Sequence, residues 1–202
     1  MAVSDVQIAK LALQYIGDRY DITSLTEATP EAEQVNLVYE DIRDALLREH
    51  PWKFALRYYT PALLSGTPPA GWANMYAYPP DALKVIRMVH PLDPLQKRYP
   101  PLEWTVSRSS TDAKVLVTNE SEPEFEYTKQ VTVPTEFDAL FDLALSWRIA
   151  AAICLPLTGD AQLADRMVRE SERHTGVAKM EDSNEGSVGR VTREPDWITA
   201  RN

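Results

Sequence analysis

The sequence predicts an α+β fold: an antiparallel four-helix bundle built from N- and C-terminal helical hairpins, with an inserted antiparallel β region and an extended C-terminal tail. Three observations carry this. Residues 1–51 and 134–180 repeat their apolar side chains at three- and four-residue spacing, the mark of amphipathic helices. Residues 52–133 replace that rhythm with short alternating runs broken by many prolines, the mark of strands with long connections. Residues 181–202 are polar and glycine-bearing, and form a tail too poor in apolar residues to fold by itself.

Taken in order, Ser4 is placed to cap a helix running to about Ile16, with Val6, Ile8, Ala9, Ala12, Leu13 and Ile16 on its apolar face. Gly17 suits the left-handed position that ends such a helix. Thr29, Pro30 and Glu31 read as cap, first-turn proline and dipole-favoured acid of a second helix from Pro30 to about Glu49. Pro51 stops it, because the residue before a proline avoids the helical region. Strands are expected at Phe54–Tyr59, Leu83–Val89, Leu102–Val106, Lys114–Thr118 and Glu124–Thr128, with a hairpin loop at Ser107–Asp112 and an extended loop at Ser65–Gly71. A third helix is expected from Pro134 to about Cys154, with Pro156 and Gly159 marking a tight connection. The fourth is expected from Asp160 to about His174. The two hairpins, 1–51 and 134–180, would then form the bundle, and 52–133 the insertion.

The 202 residues carry a formal net charge of −9, which argues against phosphate binding as a main task. The single cysteine, Cys154, excludes an internal disulfide. Its apolar surroundings make it a small buried hydrophobe in a chain made in a reducing compartment. The N-terminus lacks the basic start of a signal peptide. The most apolar stretch, Leu143–Leu157, is too short to span a bilayer and carries Arg148, so no membrane segment is expected.

Chemistry-bearing motifs are scarce, and no cofactor is expected. Gly66 and Gly71 have the spacing of a phosphate loop, but Trp72 stands where lysine is required. His50, His90 and His174 do not pair at metal-ligand spacing, so no metal is expected. His50, before Pro51, reads as a helix-end residue favouring the dipole. No catalytic residue is assigned, although the many carboxylates leave a glycosidase-type pair open as an alternative: a tail enzyme that degrades glycan on a host cell surface.

Aromatic residues are concentrated in the insertion. Tyr58, Tyr59, Trp72, Tyr76 and Tyr78 are either cross-strand core pairs or cover for a subunit interface. In the tail, Trp197 and Ile198 stand in a segment too polar to bury them, flanked by Arg190, Arg193 and Arg201. They are natural anchors for a partner's groove, or else fold back on their own subunit. Two anchors do not offset the entropy of ordering an arm, so backbone pairing or many arms on one ring must add to them.

Several stretches resemble the tail tubular protein A family, the head-to-tail adaptors of short-tailed bacteriophages. They are Ala9–Asp18, Ile22–Glu27, Pro30–Asn36 and Tyr39–Ala55, followed by Pro134–Phe137 and Ala144–Ala150. The most specific run, Arg43–Ala55, contains His50, Pro51, Trp52 and Phe54. The likeness extends over most of the chain outside residues 65–119. It implies a helical bundle with a β insertion and a closed ring of about twelve copies, which needs head-to-tail interfaces between subunits. Such a ring sits beneath the portal protein, carries the tail nozzle protein on its far side and passes genomic DNA without reading its sequence. The C-terminal segment reaches the portal, giving Trp197 its partner. The resemblance brings no cofactor and no catalytic residue. It implies a virion protein assembled in the host cytoplasm, where an acidic bore would let DNA slide. A structural module of a prophage-derived, non-viral particle is a further alternative.

Overall fold

The computed structural model describes residues 4–18, 21–92 and 99–185. Helices α1 (Asp5–Tyr15) and α2 (Pro30–Glu49) come first, then a 3-10 turn at Lys53–Ala55. Six strands follow: β1 (Leu56–Tyr59), β2 (Asn74–Ala77), β3 (Ala82–Val89), β4 (Trp104–Arg108), β5 (Lys114–Thr118) and β6 (Glu124–Lys129). A second 3-10 turn, Pro134–Glu136, leads into α3 (Ala139–Thr158) and α4 (Ala161–Asn184).

Local chemistry sets the helix ends. Ser4 accepts from the Gln7 amide and Thr29 from the Ala32 amide, each satisfying a donor the helix cannot. Gly17 takes φ +82° and Gly159 φ +68°, left-handed values that an L side chain resists. His50 adopts the extended φ −134° and ψ 143° that Pro51 requires.

The α+β class is found, but the four-helix bundle is not. α3 is a hub that packs against α1, α2 and α4, while α1 and α2 do not pair closely as a hairpin. The reason lies in α3 itself. Its buried residues fall at consecutive positions, Phe141–Asp142, Ala144–Leu145–Ser146, Ile149–Ala150 and Ile153–Cys154. Successive helical residues point about 100° apart, so these cover several faces. Such a helix must be enclosed, whereas α1, α2 and α4 carry single stripes and do the enclosing. By length and composition α3 would also suit a membrane span; here its faces meet three helices.

The expected antiparallel β insertion is present. It forms two three-stranded antiparallel sheets, ordered β1-β6-β3 and β2-β5-β4. They share one apolar cluster: Tyr76, Val85, Met88, Leu116, Phe125 and Tyr127 come from both. The outer face of β5 is covered separately by Met75, Leu64 and Trp72 against Val115 and Val117. Strand β5 is therefore buried on both sides, which explains its unbroken Val115-Leu116-Val117 run.

Several boundaries differ from expectation. Strand β1 begins at Leu56, after a 3-10 turn that takes up Phe54 and Ala55, and β4 is shifted to Trp104–Arg108, so Ser107 and Arg108 of the expected hairpin loop pair with β5. Strand β2 has no strong alternating signal and was not expected; its pairing with β5 supplies what local pattern lacks. Helix α3 begins at Ala139, capped by Asp138 to the Leu140 amide at 2.8 Å, and continues past Pro156. Helix α4 runs to Asn184, beyond both His174 and residue 180. Its last turns have few apolar residues, and tertiary contacts to Asp182 hold them.

Candidate functional site

The end of the Arg43–Ala55 run, from His50 to Phe54, is the joint at which α2, α3, α4 and β1 meet. Pro51 ends α2 and the chain folds back at once, the Trp52 amide donating to the His50 carbonyl at 2.9 Å. Trp52 is fully buried, and its Nε1 donates to the Leu46 carbonyl at 2.9 Å. Leu46 lies in the last turn of α2, where carbonyls have no partner within the helix, so the indole serves as a cap from inside the core. The Trp52 ring meets Phe141 of α3 edge-on at 5.1 Å, and Phe54 meets Phe141 at 5.0 Å. Phe137 completes this group at 5.0 Å from Phe141. Edge-to-face contacts of this kind add to the area these rings bury.

Around the aromatic group lies a polar clamp. Asp182, near the end of α4, takes His50 Nε2 at 2.8 Å and the Lys53 amide at 3.0 Å. Lys53 Nζ also donates to the Asp182 carbonyl. One turn away, Glu49 accepts both Arg148 Nη1 at 2.6 Å and Nη2 at 2.8 Å, and Lys179 Nζ at 2.8 Å. Arg148 gives its Nε to Thr175 Oγ1 at 3.2 Å. The hydrogen bonds from Arg148 are the main cause holding the Glu49 carboxyl below the usual carboxylate range, with burial opposing and Lys179 assisting. Arg48 carries the joint to the sheets by donating to the Leu83 carbonyl of β3. Sequence reasoning gave His50 a helix-end role, and it sits there, but Asp182 and the Glu49–Arg148–Lys179 group were not expected. They pair residues about 100 positions or more apart, which no local pattern reveals.

Two further groups are tertiary findings. Trp147 of α3 is stacked between Tyr15 of α1 at 3.9 Å and His174 of α4 at 5.0 Å, both nearly parallel. Burial, then the neighbouring Arg173, lowers the His174 pKa, with Glu170 opposing. On the α2 side, Asp142 is buried, and burial with the nearby Asp138 charge raises its carboxyl from 3.8 to about 7. The available sequence signal was an acid placed directly between Phe141 and the apolar run that follows.

The aromatics of the insertion all make contacts inside the subunit except Tyr58, but only Tyr76 is buried; Tyr59, Trp72 and Tyr78 stay part-exposed. Tyr76 is 4% exposed and donates to the Glu120 carbonyl at 3.0 Å. Tyr59 meets Tyr127 edge-on at 6.2 Å, Trp72 covers β5, and Lys114 Nζ lies 3.7 Å above the Tyr78 ring. Two packed sheets need large side chains on their inner faces; Tyr76, Tyr59 and Tyr78 supply them, while Trp72 covers the outer face of β5. Tyr58 differs: it is 61% exposed, on the outer edge strand β1. Just beyond it the chain lines a cavity of about 540 Å³ with Pro61, Leu63, Tyr76 and Glu122, and Leu63 is also exposed. Arg190, Arg193, Trp197, Ile198 and Arg201 lie outside the described residues.

Chemically, the joint around Trp52 is a fastening. Its polar groups face one another: His50 and Lys53 meet Asp182, and Arg148 and Lys179 meet Glu49. An acidic cavity of about 330 Å³ lies beside it, lined by Asp138, Leu140, Glu181, Asp182, Asn184 and Glu185. Among the described residues no cluster of three or more His, Cys, Asp or Glu is arranged to hold a metal ion. Compared with family models and with curated proteins, the chain matches none.

Proposed function

We propose that this chain is a structural virion protein, the head-to-tail adaptor that forms a ring of about twelve copies between portal and tail nozzle in a short-tailed phage. The observation that carries this reading is the Arg43–Ala55 run, whose residues resemble the adaptor family. Support comes from the use to which the run is put. Trp52 and Phe54 are packed, His50 is hydrogen-bonded, and the three tie the end of α2 to α3 and α4. A ring subunit works by presenting surfaces at fixed angles, so rigidity at this joint is what such a role needs. Tyr58 and Leu63 are available for lateral contact between copies, and the net charge of −9 suits a bore that DNA slides through. The C-terminal residues, with Trp197 and Ile198, are assigned to the portal. The protein acts without cofactor or bond-making chemistry, within the tail at the head–tail junction.

The test is truncation. Removing residues 186–202 leaves a folded protein that no longer co-sediments with portal rings, while the full chain does. Unchanged co-sedimentation overturns the tail assignment. Failure of the full chain to bind portal rings, with release of sugar from polysaccharide, points instead to a tail enzyme.

A further inference from the structure

Three buried polar atoms among the described residues lack a hydrogen-bond partner: Tyr39 Oη, Asp142 Oδ1 and Trp147 Nε1. Buried polar groups are nearly always paired, because an unpaired one loses its hydration and gains nothing in return. Two of these three belong to neighbouring helices that pack together, Tyr39 on α2 and Asp142 on α3. They are 4% and 8% exposed, and they do not bond one another. None of the ion pairs among the described residues includes Asp142. Arg43, one turn beyond Tyr39 and also buried, gives its Nε to Asp44 at 2.8 Å.

We propose that Asp142 is a proton-operated joint between α2 and α3: neutral, it lets the two helices pack dry, and ionised, it draws water into the seam and loosens it. A carboxylic acid tolerates an apolar seam far better than a carboxylate does. Among the described residues no cation offsets the ionised form. Asp138 is the charge acting on Asp142 and repels it. Tyr39 is pushed up by burial, with Asp5 of α1 and Asp142 adding and Arg43 opposing, so the phenol stays protonated. Asp142 lies near the start of α3, shortly after the chain leaves β6. The seam it controls is therefore close to the passage from sheets to helices. The inference does not depend on the adaptor reading.

The linkage has a definite sign. Folding raises the carboxyl from 3.8 to about 7, so the native state keeps a proton that the unfolded chain has released. Native stability therefore falls as pH rises from about 4 to about 7, and the loss is complete above that. The experiment measures the thermal midpoint of the full chain and of Asp142→Asn from pH 5 to 8.5 at constant ionic strength. Alongside it, the Asp142 carboxyl carbon of the unsubstituted protein is titrated by NMR. Relative to the variant, the unsubstituted chain should lose about 4 °C or more between pH 5 and 8. Its carboxyl should titrate near neutral pH. Parallel midpoint curves, or a carboxyl midpoint in the ordinary carboxylate range, would overturn the proposal. If Asp142→Asn does not fold, the titration of the unsubstituted chain decides alone.

Discussion

Two polar seams cross the helical core, and they are built in opposite ways. At the end of α2, Glu49, His50 and Lys53 find Arg148, Lys179 and Asp182, so charges drawn from three helices and a turn are matched. Midway along α2, Tyr39 and Asp142 are buried deeper, and among the described residues Tyr39 Oη and Asp142 Oδ1 have no hydrogen-bond partner. The satisfied seam surrounds the fully buried Trp52 and fixes geometry. The unsatisfied one holds a carboxyl whose charge state decides whether the seam is comfortable. The difference teaches that polar burial by itself is neither glue nor switch; the supply of partners decides which it becomes.

The largest loss of stability is expected at Trp52, in the satisfied seam. Trp52→Ala removes a fully buried ring and strands the Leu46 carbonyl. Urea unfolding should show a loss of about 3–5 kcal/mol or a chain that does not fold. A loss under 1 kcal/mol would mean the joint is not the fastening described.

A smaller effect is expected at Arg148. Arg148→Ala breaks both bonds to Glu49 and the one to Thr175, and should cost about 1–2 kcal/mol near neutral pH, part of the pair being open to solvent. Its pH dependence runs opposite to that of Asp142. The Glu49 carboxyl is lowered from 4.5 by folding, so its contribution is present above that value and is lost as pH falls through the lowered one. Denaturation curves of the variant and the unsubstituted protein should therefore converge in strong acid. A constant gap at every pH would assign the effect to lost packing of the Arg148 stem.

The smallest effect on stability belongs to Tyr58, which belongs to neither seam. Tyr58→Ser should change unfolding free energy by less than about 0.5 kcal/mol, because the residue is exposed. Its effect should appear in assembly, as a fall in the ring fraction seen by sedimentation. Rings unaffected by Tyr58→Ser and by Leu63→Ser together would remove this surface from the lateral contact.

Much of the secondary structure was legible because it is decided within a few residues. The caps at Ser4 and Thr29, the stop at Pro51 and the left-handed glycines act locally, and α2 occupies the span expected of it. Strands β3, β5 and β6 carry their alternation or burial openly. By contrast β2 depends on β5, and the last turns of α4 on His50 and Lys53, partners about 40 and 130 residues away. The aromatic concentration in the insertion was visible, but whether a given ring faced inward was not. Tyr58 and Tyr59 are adjacent in sequence, and a one-residue step sends them to opposite faces of a strand.

Read alone, the amino-acid sequence was enough to give the spans of α1 and α2, most of the strands, the α+β class, the burial of Cys154 and the stop at Pro51. Those follow from short-range sterics, capping and the periodicity of apolar side chains. Packing across the chain set the rest: α3 as a hub with no equal among the helices, the insertion as two sheets, and, among the described residues, Asp142 Oδ1 without a partner while Glu49 has several. Each of those depends on which surfaces meet across long stretches of chain, and a helix's apolar stripe says that it will be covered without saying by what.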